Sequence, residues 1–213
     1  MATVYELNAD YWLKKDFISA PFQRLLSTIQ PGSRILDLGC GGGRLAVALS
    51  DATKAWGLDR AENLITQLKT KHPNNNWILG DAESASTWES LPQFDYILSN
   101  VCIRKDQCKL ELIIPHIINH SPKATLLLRI QSKDDLKGYV TNCPGYAQGE
   151  IYKALGSFPS IEGTRERFIQ KFTSGLYLRE SISKIGLRAG KRAQGVTELA
   201  VAREYWLIKA TPE

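Results

Sequence analysis

The chain has 213 residues, of which 43% are apolar, and it carries a net charge of +5. This length suits one α/β domain with a substantial core, whereas two domains would be short of residues. No apolar run approaches the length of a membrane span, and the first twenty residues carry charged side chains where a signal peptide would be apolar, so we predict a cytoplasmic protein.

The four cysteines do not indicate a metal site or a disulfide framework. None of them forms a CxxC pair, and one lies inside a glycine-rich stretch. We therefore predict free thiols at Cys40, Cys102, Cys108 and Cys143.

The N-terminal segment has the pattern of an amphipathic helix. Apolar side chains recur at helical spacing over residues 5–29, and Pro21 interrupts them. The pattern predicts a helix pair or one kinked helix, which Pro31 and Gly32 close.

A glycine-rich turn follows, between a short strand and a helix. Ile35 and Leu36 lead to Asp37, and an unbroken apolar run begins at Leu45 after four glycines: Gly39, Gly41, Gly42 and Gly43. Clustered glycines are favoured where the backbone must adopt positive φ or approach a ligand closely. We therefore predict a binding loop, with a purely structural turn in some other α/β protein as the alternative.

The loop lacks the features of two common nucleotide-binding loops. A dinucleotide loop needs glycine at its sixth position, where Arg44 stands, and a P-loop needs a terminal Lys-Ser or Lys-Thr pair. The run Ile-Leu-Asp-Leu-Gly-Cys-Gly-Gly-Gly over residues 35–43 instead resembles the first motif of class I S-adenosylmethionine-dependent methyltransferases. The resemblance implies that Asp37 serves the amino group of the cofactor, often through water, while the glycines let the backbone pass close to it.

The second strand, residues 54–59, also ends in an acid, and a helix is predicted over residues 61–71. A carboxylate at this place can accept hydrogen bonds from both hydroxyls of a ribose, so Asp59 predicts a nucleoside ligand. A ribose is common to NAD and S-adenosylmethionine, so this residue leaves the choice between them open.

A third acid follows the third strand, which begins at Trp77. Gly80-Asp81-Ala82 resembles the adenine-reading element of the same family, which implies that Asp81 accepts from the exocyclic amine and that the Ala82 backbone faces the ring. Each acid alone could cap a helix, but Asp37, Asp59 and Asp81 are 22 residues apart in turn, and a parallel sheet would bring them to one edge.

The fourth strand, residues 94–100, ends in Ser99-Asn100-Val101-Cys102. The family members that methylate adenine or glutamine amides carry Asn/Asp-Pro-Pro-Tyr/Phe here, so the departure argues for a small-molecule acceptor. Small-molecule enzymes of the family often place a histidine a few residues later. This chain has Arg104 there, and the sequence assigns no catalytic base.

A helix over residues 110–119 precedes the fifth strand, residues 124–130. His116 and His120 have the i, i+4 spacing of metal ligands, but no third ligand accompanies them, so we predict surface residues and no metal. Arg129 is anomalous because a buried strand seldom carries a guanidinium without a partner. We predict that it pairs either with a substrate carboxylate or with an internal acid.

The rest of the chain follows the family plan. We predict an acceptor-specific insertion over residues 131–165, a last helix over 173–187 and a closing hairpin of strands 192–202 and 203–210. The basic run Lys184, Arg188, Lys191 and Arg192 has no interleaved aromatic residues, so we interpret it as a solvated face rather than a nucleic-acid surface.

Together these features predict one domain over residues 1–213, a three-layer α/β sandwich with a seven-stranded, mostly parallel sheet whose last strand is antiparallel. A helical lid is expected over residues 1–30. The predicted function is S-adenosylmethionine-dependent methyl transfer to a small molecule, with a carboxylate-bearing acceptor as one option. An RNA methyltransferase and a non-catalytic cofactor-binding module are the alternatives.

The sequence thus predicts two sets of site residues. Residues predicted to contact S-adenosylmethionine are Tyr11, Asp37, Gly39, Cys40, Gly41, Asp59, Arg60, Asp81, Ala82, Asn100 and Val101. Residues predicted to contact the acceptor are Tyr5, Trp12, Arg104, Arg129, Tyr139 and Tyr146.

Overall fold

A computed structural model of the chain describes residues 20–134, 144–172 and 199–212. Several sequence-based predictions therefore lie outside the described residues: most of the N-terminal lid with Tyr5, Tyr11 and Trp12, the substrate candidate Tyr139, the last helix and the basic run. Within the described ranges, no helix has both the length and the apolar composition needed to cross a bilayer.

The described chain contains seven strands and six helices. The strands are β1 (Arg34–Leu38), β2 (Lys54–Asp59), β3 (Asn76–Leu79), β4 (Tyr96–Asn100), β5 (Thr125–Gln131), β6 (Ser160–Phe172) and β7 (Leu199–Thr211). The helices are α1 (Ala20–Leu26), α2 (Arg44–Leu49), α3 (Glu62–Lys71), α4 (Ala85–Glu89), α5 (Leu110–His120) and α6 (Gln148–Ala154).

All seven strands form one sheet, in the order β3-β2-β1-β4-β5-β7-β6. The pairs among β1 to β5 are parallel, and β7 runs antiparallel to both β5 and β6. The predicted seven-stranded, mostly parallel sheet is confirmed. Strand order reverses between β1 and β4, and open α/β sheets bind ligands at such a switch point, outside the carboxyl ends of the strands.

Alternate side chains of the strands feed two cores, one on each face of the sheet. Leu36 and Ile97 pack in the core covered by α4, α5 and α6, whereas their neighbours Ile35 and Leu98 pack in the core covered by α1, α2 and α3. Burial on both faces explains why the central strands are almost continuously apolar.

The closing hairpin differs from the prediction. The sixth strand is Ser160–Phe172, and residues 199–202, which were predicted to belong to a separate sixth strand, are the start of β7. The first residue of the predicted insertion ends β5, and its last six lie in β6. The sequence did not predict this edge strand because Arg165, Glu166 and Arg167 within it are charged. In the fold these side chains form ion pairs with residues that are distant in the chain.

Helix α5 offers a test of the packing. Ile113 is fully buried against the sheet, whereas its neighbour Leu112 is 43% exposed. We expect Ile113→Ala to lower the free energy of unfolding by about 2 to 5 kcal/mol through lost burial and a residual cavity. Leu112→Ala is the matched control and should cost less than about 0.5 kcal/mol in the same urea titration; equal losses would contradict this packing.

Candidate functional site

Three carboxylates lie at one edge of the sheet, on adjacent strands. Asp37 lies in β1, Asp59 ends β2, and Asp81 follows β3 by two residues. Strand order β3-β2-β1 places the three strands side by side, as predicted from their spacing. The glycine loop after β1 and the end of β4 complete this edge.

Two glycines of the loop are required by packing. Gly39 has φ +71°, and a Cβ added there would lie 2.3 Å from the Cys102 Sγ. Gly43 has φ +72°, and a Cβ there would lie 2.6 Å from the Trp77 ring and 2.7 Å from Leu68. At these positions any side chain meets both a strained backbone and an occupied space.

Gly41 differs from these two glycines. Its φ is +51°, but a Cβ added there would meet nothing within 4 Å. Its N–H donates to Asp59 Oδ2 at 2.8 Å. Asp59 thus fixes the loop through the Gly41 N–H, while the Cα of Gly41 faces open space that no side chain of the described residues fills.

Asp37 is a buried carboxyl group, only 2% exposed. The backbone of Ala46 donates a hydrogen bond to it, but Oδ2 has no hydrogen-bond partner among the described residues. Burial, with a smaller contribution from the charge of Asp59, raises the pKa of Asp37 to about 7 against the lowering effect of the Ala46 hydrogen bond. Such a group needs a donor or a cation to ionise at neutral pH.

Asp59, at the end of β2, also fixes the conformation of the glycine loop. Its Oδ2 accepts from Gly41 N–H at 2.8 Å, and its Oδ1 accepts from Ala61 N–H at 2.9 Å. A carboxylate has about four lone-pair sites, so each oxygen keeps acceptor capacity for a ligand. Sequence reasoning missed the contact to Gly41, since the two residues meet only through the fold.

The third acid is in a more open setting. Asp81 is exposed and accepts from Glu83 N–H at 3.0 Å, a local turn contact of the kind that aspartate often makes. The Ala82 carbonyl already accepts from the Trp88 indole at 2.9 Å. Arg60 is exposed and reaches the Gln107 carbonyl at 3.4 Å, which connects the β2 and β4 loops.

The end of β4 has an unusual backbone. Val101 has φ +67°, which a β-branched residue rarely adopts. Its N–H donates to the Arg129 carbonyl at 2.8 Å. The next residue, Cys102, packs directly against Gly39, so the β4 end and the glycine loop share one wall of the edge.

The buried guanidinium has an internal partner. Arg129 is 2% exposed, and its Nε donates to Glu166 Oε2 at 2.8 Å. Of the two partners predicted for Arg129, the structure supplies the internal acid. Glu166 was not a sequence candidate, because no pattern connects residues 37 positions apart.

Two other substrate candidates are engaged by neighbours. Tyr146 is buried; its hydroxyl accepts from Leu110 N–H and donates to Glu111, both at 2.9 Å, so we do not retain a substrate role for it. Burial raises the pKa of Tyr146 well above its usual value. Arg104 is 22% exposed and makes a two-point contact with Asp106, at 3.0 and 2.6 Å.

The two histidines of α5 remain partly exposed, and their rings contact the neighbouring loops. Both rings are half-buried: His116 contacts the Glu83 carbonyl at 3.1 Å, and His120 contacts Ser121 and the Leu91 carbonyl, each at 2.9 Å. They tie α5 to the loops around α4, a role that spacing within one helix cannot reveal.

The described cysteines carry free thiols. Cys40 is buried, with its sulfur in the core beside Gly57, so only its backbone is available to the loop. Its thiol pKa is raised well above the usual value by burial. A side-chain hydrogen bond between Cys102 and Cys108, which favours the protonated Cys102 thiol, is the largest factor that raises the pKa of Cys102, and burial adds to it.

Part of the chain matches a known protein family. Residues 35–113 match the family described as "Methyltransferase domain". By sequence, no curated protein matches the chain.

Solved structures share the fold at low identity. A candidate methyltransferase from Bacillus halodurans C-125 is 14% identical, with a TM-score of 0.66 over 92% of this chain and 100% of that one. A TehB-like SAM-dependent methyltransferase from Corynebacterium glutamicum is 19% identical, with a TM-score of 0.62 over 98% of both chains. Phosphoethanolamine N-methyltransferase 2 of Haemonchus contortus, in complex with phosphomonomethylethanolamine and S-adenosylhomocysteine, is 17% identical, with a TM-score of 0.57 over 98% of this chain and 57% of that one.

Residues 35–113 therefore match a methyltransferase domain, and the chain shares the Rossmann-like fold of solved S-adenosylmethionine-dependent methyltransferases.

Proposed function

We propose that the protein binds S-adenosylmethionine at this edge of the sheet and transfers its methyl group to a small-molecule acceptor. The observation that carries the proposal is the buried Asp37 carboxylate, whose Oδ2 lacks a partner among the described residues, beneath a loop that is open at Gly41. An ammonium group is the chemical complement of that oxygen.

The donor set fits this cofactor. Asp37 would hold the amino group, Gly41 would let the amino-acid moiety approach the backbone, and Asp59 has acceptor capacity left for the ribose. Asp81 and Ala82 would face the adenine. The remaining proposed contacts are Tyr11, Gly39, Cys40, Arg60, Asn100 and Val101.

The acceptor proposal rests on what stands at the end of β4. Asn100-Val101-Cys102 lacks the proline pair that holds a planar amide or adenine amine, which favours another acceptor class. The Haemonchus contortus enzyme, which has a similar fold and was solved with phosphomonomethylethanolamine, supports the choice of a small-molecule acceptor. A carboxylate-bearing acceptor would compete with Asp106 for Arg104, which stays partly exposed in the loop after β4.

The proposed reaction depends mainly on the alignment of the acceptor with the methyl group. S-Adenosylmethionine would supply a methyl group that its sulfonium already activates for in-line displacement. The chain's residues would bind the two reactants, orient the acceptor lone pair toward the methyl group and exclude water, and such alignment supplies much of a rate enhancement. A general base is needed only for a hydroxyl or protonated amine acceptor.

Binding of the cofactor tests the proposal directly. We expect calorimetry of the full chain to give saturable binding of S-adenosylmethionine and S-adenosylhomocysteine and no binding of NADH. A metabolite panel with mass-spectrometric detection of S-adenosylhomocysteine then identifies the acceptor. Binding of NADH in place of the sulfonium cofactor would refute the assignment, and binding without turnover on any acceptor would favour a non-catalytic module.

The two loop glycines should respond differently to alanine. At Gly41 we expect a loss of about 1 kcal/mol in unfolding free energy from positive φ, but at least a tenfold loss of S-adenosylmethionine affinity, since the methyl enters the open space. At Gly39 the clash with Cys102 adds to the strain, so stability should fall by about 2 kcal/mol or more. Wild-type affinity in a folded Gly41→Ala variant would contradict the placement of the cofactor.

Asp37 should make cofactor binding depend on pH. Because its pKa is raised to about 7, affinity should increase as pH rises from 6 to 7.5 and the carboxylate forms. The gain should end as the ligand's own amino group loses its proton, near pH 8 for an α-amine. Calorimetry across this range should show the rise in the wild type and weak binding without the rise in Asp37→Asn.

The same pKa predicts the sign of the stability change. The folded protein keeps the Asp37 proton that the unfolded chain releases above about pH 4. The contribution of Asp37 to the unfolding free energy is therefore greatest at low pH and is lost as pH rises toward 7. Asp37→Asn should flatten this part of the pH profile in urea titrations without ligand.

A further inference from the structure

The buried guanidinium of Arg129 has no role in the function proposed above. It lies at the end of β5 with 2% of its surface exposed. A buried ion pair is weak evidence for stability, because desolvation offsets the attraction between the charges and apolar residues often pack as well. Its presence at the edge that faces the site calls for another explanation.

The side chain connects three strands. Its Nε donates to Glu166 of β6 at 2.8 Å, and its guanidinium lies 3.9 Å from the centre of the Tyr205 ring of β7. Its Nη1 donates to Asn100 Oδ1 of β4 at 3.3 Å. Glu166 and Tyr205 thus fix the position of the guanidinium, and the guanidinium in turn donates a hydrogen bond to the Asn100 side chain.

The main chain of the same residue holds the next position. The Arg129 carbonyl accepts from the Val101 N–H at 2.8 Å, at the point where Val101 adopts φ +67°. Strained conformations of this kind persist only where their surroundings determine them, and they cluster at functional sites. Arg129 therefore sets both the side chain of Asn100 and the backbone that follows it.

This segment lies at the switch point of the sheet. β4 pairs with β1, and Cys102 packs against Gly39 of the cofactor loop. The Asn100–Cys102 segment thus lies between the glycine loop and Arg129. A shift of Asn100 or Val101 would change the wall that meets the reacting end of a cofactor bound by that loop.

We propose that Arg129, held by Glu166 and Tyr205, is a positioning residue that fixes Asn100 and Val101 beside the sulfonium methyl group. This inference rests on the proposed function. The sulfonium methyl group is what distinguishes S-adenosylmethionine from S-adenosylhomocysteine. Loss of the positioning should therefore weaken the first ligand more than the second.

The test compares the two ligands by calorimetry on the full chain. Arg129→Lys keeps a charge for Glu166 but lacks a fork that also reaches Asn100. We expect it to weaken S-adenosylmethionine about tenfold relative to S-adenosylhomocysteine. Asn100→Ala should give a similar change in the ratio, and the double variant should be no worse than either single one, because both act through one contact.

Arg165→Lys is the matched control. Arg165 pairs with Glu204 and Asp134 on the opposite face of the same sheet region and should leave the ligand ratio unchanged. If Arg129→Lys does not fold, Glu166→Gln replaces it, since the amide still accepts from Nε but no longer balances the charge; its expected ratio change has the same sign.

The outcomes separate the two proposals. Three outcomes would overturn the positioning role while leaving cofactor binding intact. They are an equal loss of affinity for both ligands together with a lower melting temperature, an unchanged affinity ratio, and additive effects of Arg129→Lys and Asn100→Ala. Absence of binding of either ligand to the wild type would instead refute the proposed function.

Discussion

The burial of one carboxylate governs the architecture of the site. Asp37 lies in the central strand β1, where neighbouring strands and α2 exclude solvent. A buried charge without compensation is expensive, and proteins avoid the expense by pairing the group or shifting its pKa. With its pKa near 7, Asp37 would ionise when the proposed cationic ligand binds beside it.

The loop above Asp37 depends on a second carboxylate. Asp59 accepts from Gly41 on one side and from Ala61 on the other, so the ends of β1 and β2 are fixed to each other. Gly39 and Gly43 let the loop fit against Cys102 and Trp77. Rigid support of this kind lowers the ordering cost that a ligand must meet on binding.

Ion pairs on opposite faces support the β5-β7-β6 side of the sheet. Arg129 with Glu166 lies on the face of α1 to α3, while Arg165 and Arg167 meet Glu204 on the other face. Glu204 also accepts from Ser132 at 2.7 Å, just beyond β5. These contacts place charged side chains on edge strand β6 and its neighbour β7, and charged side chains on an edge strand disfavour pairing with another chain. They also explain why β6 lacks the apolar signature of the central strands.

The sequence by itself determined the elements whose signals are local. Short apolar runs located β1 to β5, and the equal spacing of Asp37, Asp59 and Asp81 predicted their common edge. It could not locate β6, assign His116 and His120, or choose the partner of Arg129, because each depends on contacts between residues far apart in the chain.

Only the tertiary structure showed that Gly41 faces open space, that Asp59 accepts a hydrogen bond from Gly41, and that Arg129 donates one to Asn100. The physical reason is that local patterns record backbone preference and burial. The pairing of charges and the shape of a cavity arise only when strands from distant parts of the chain are brought into register.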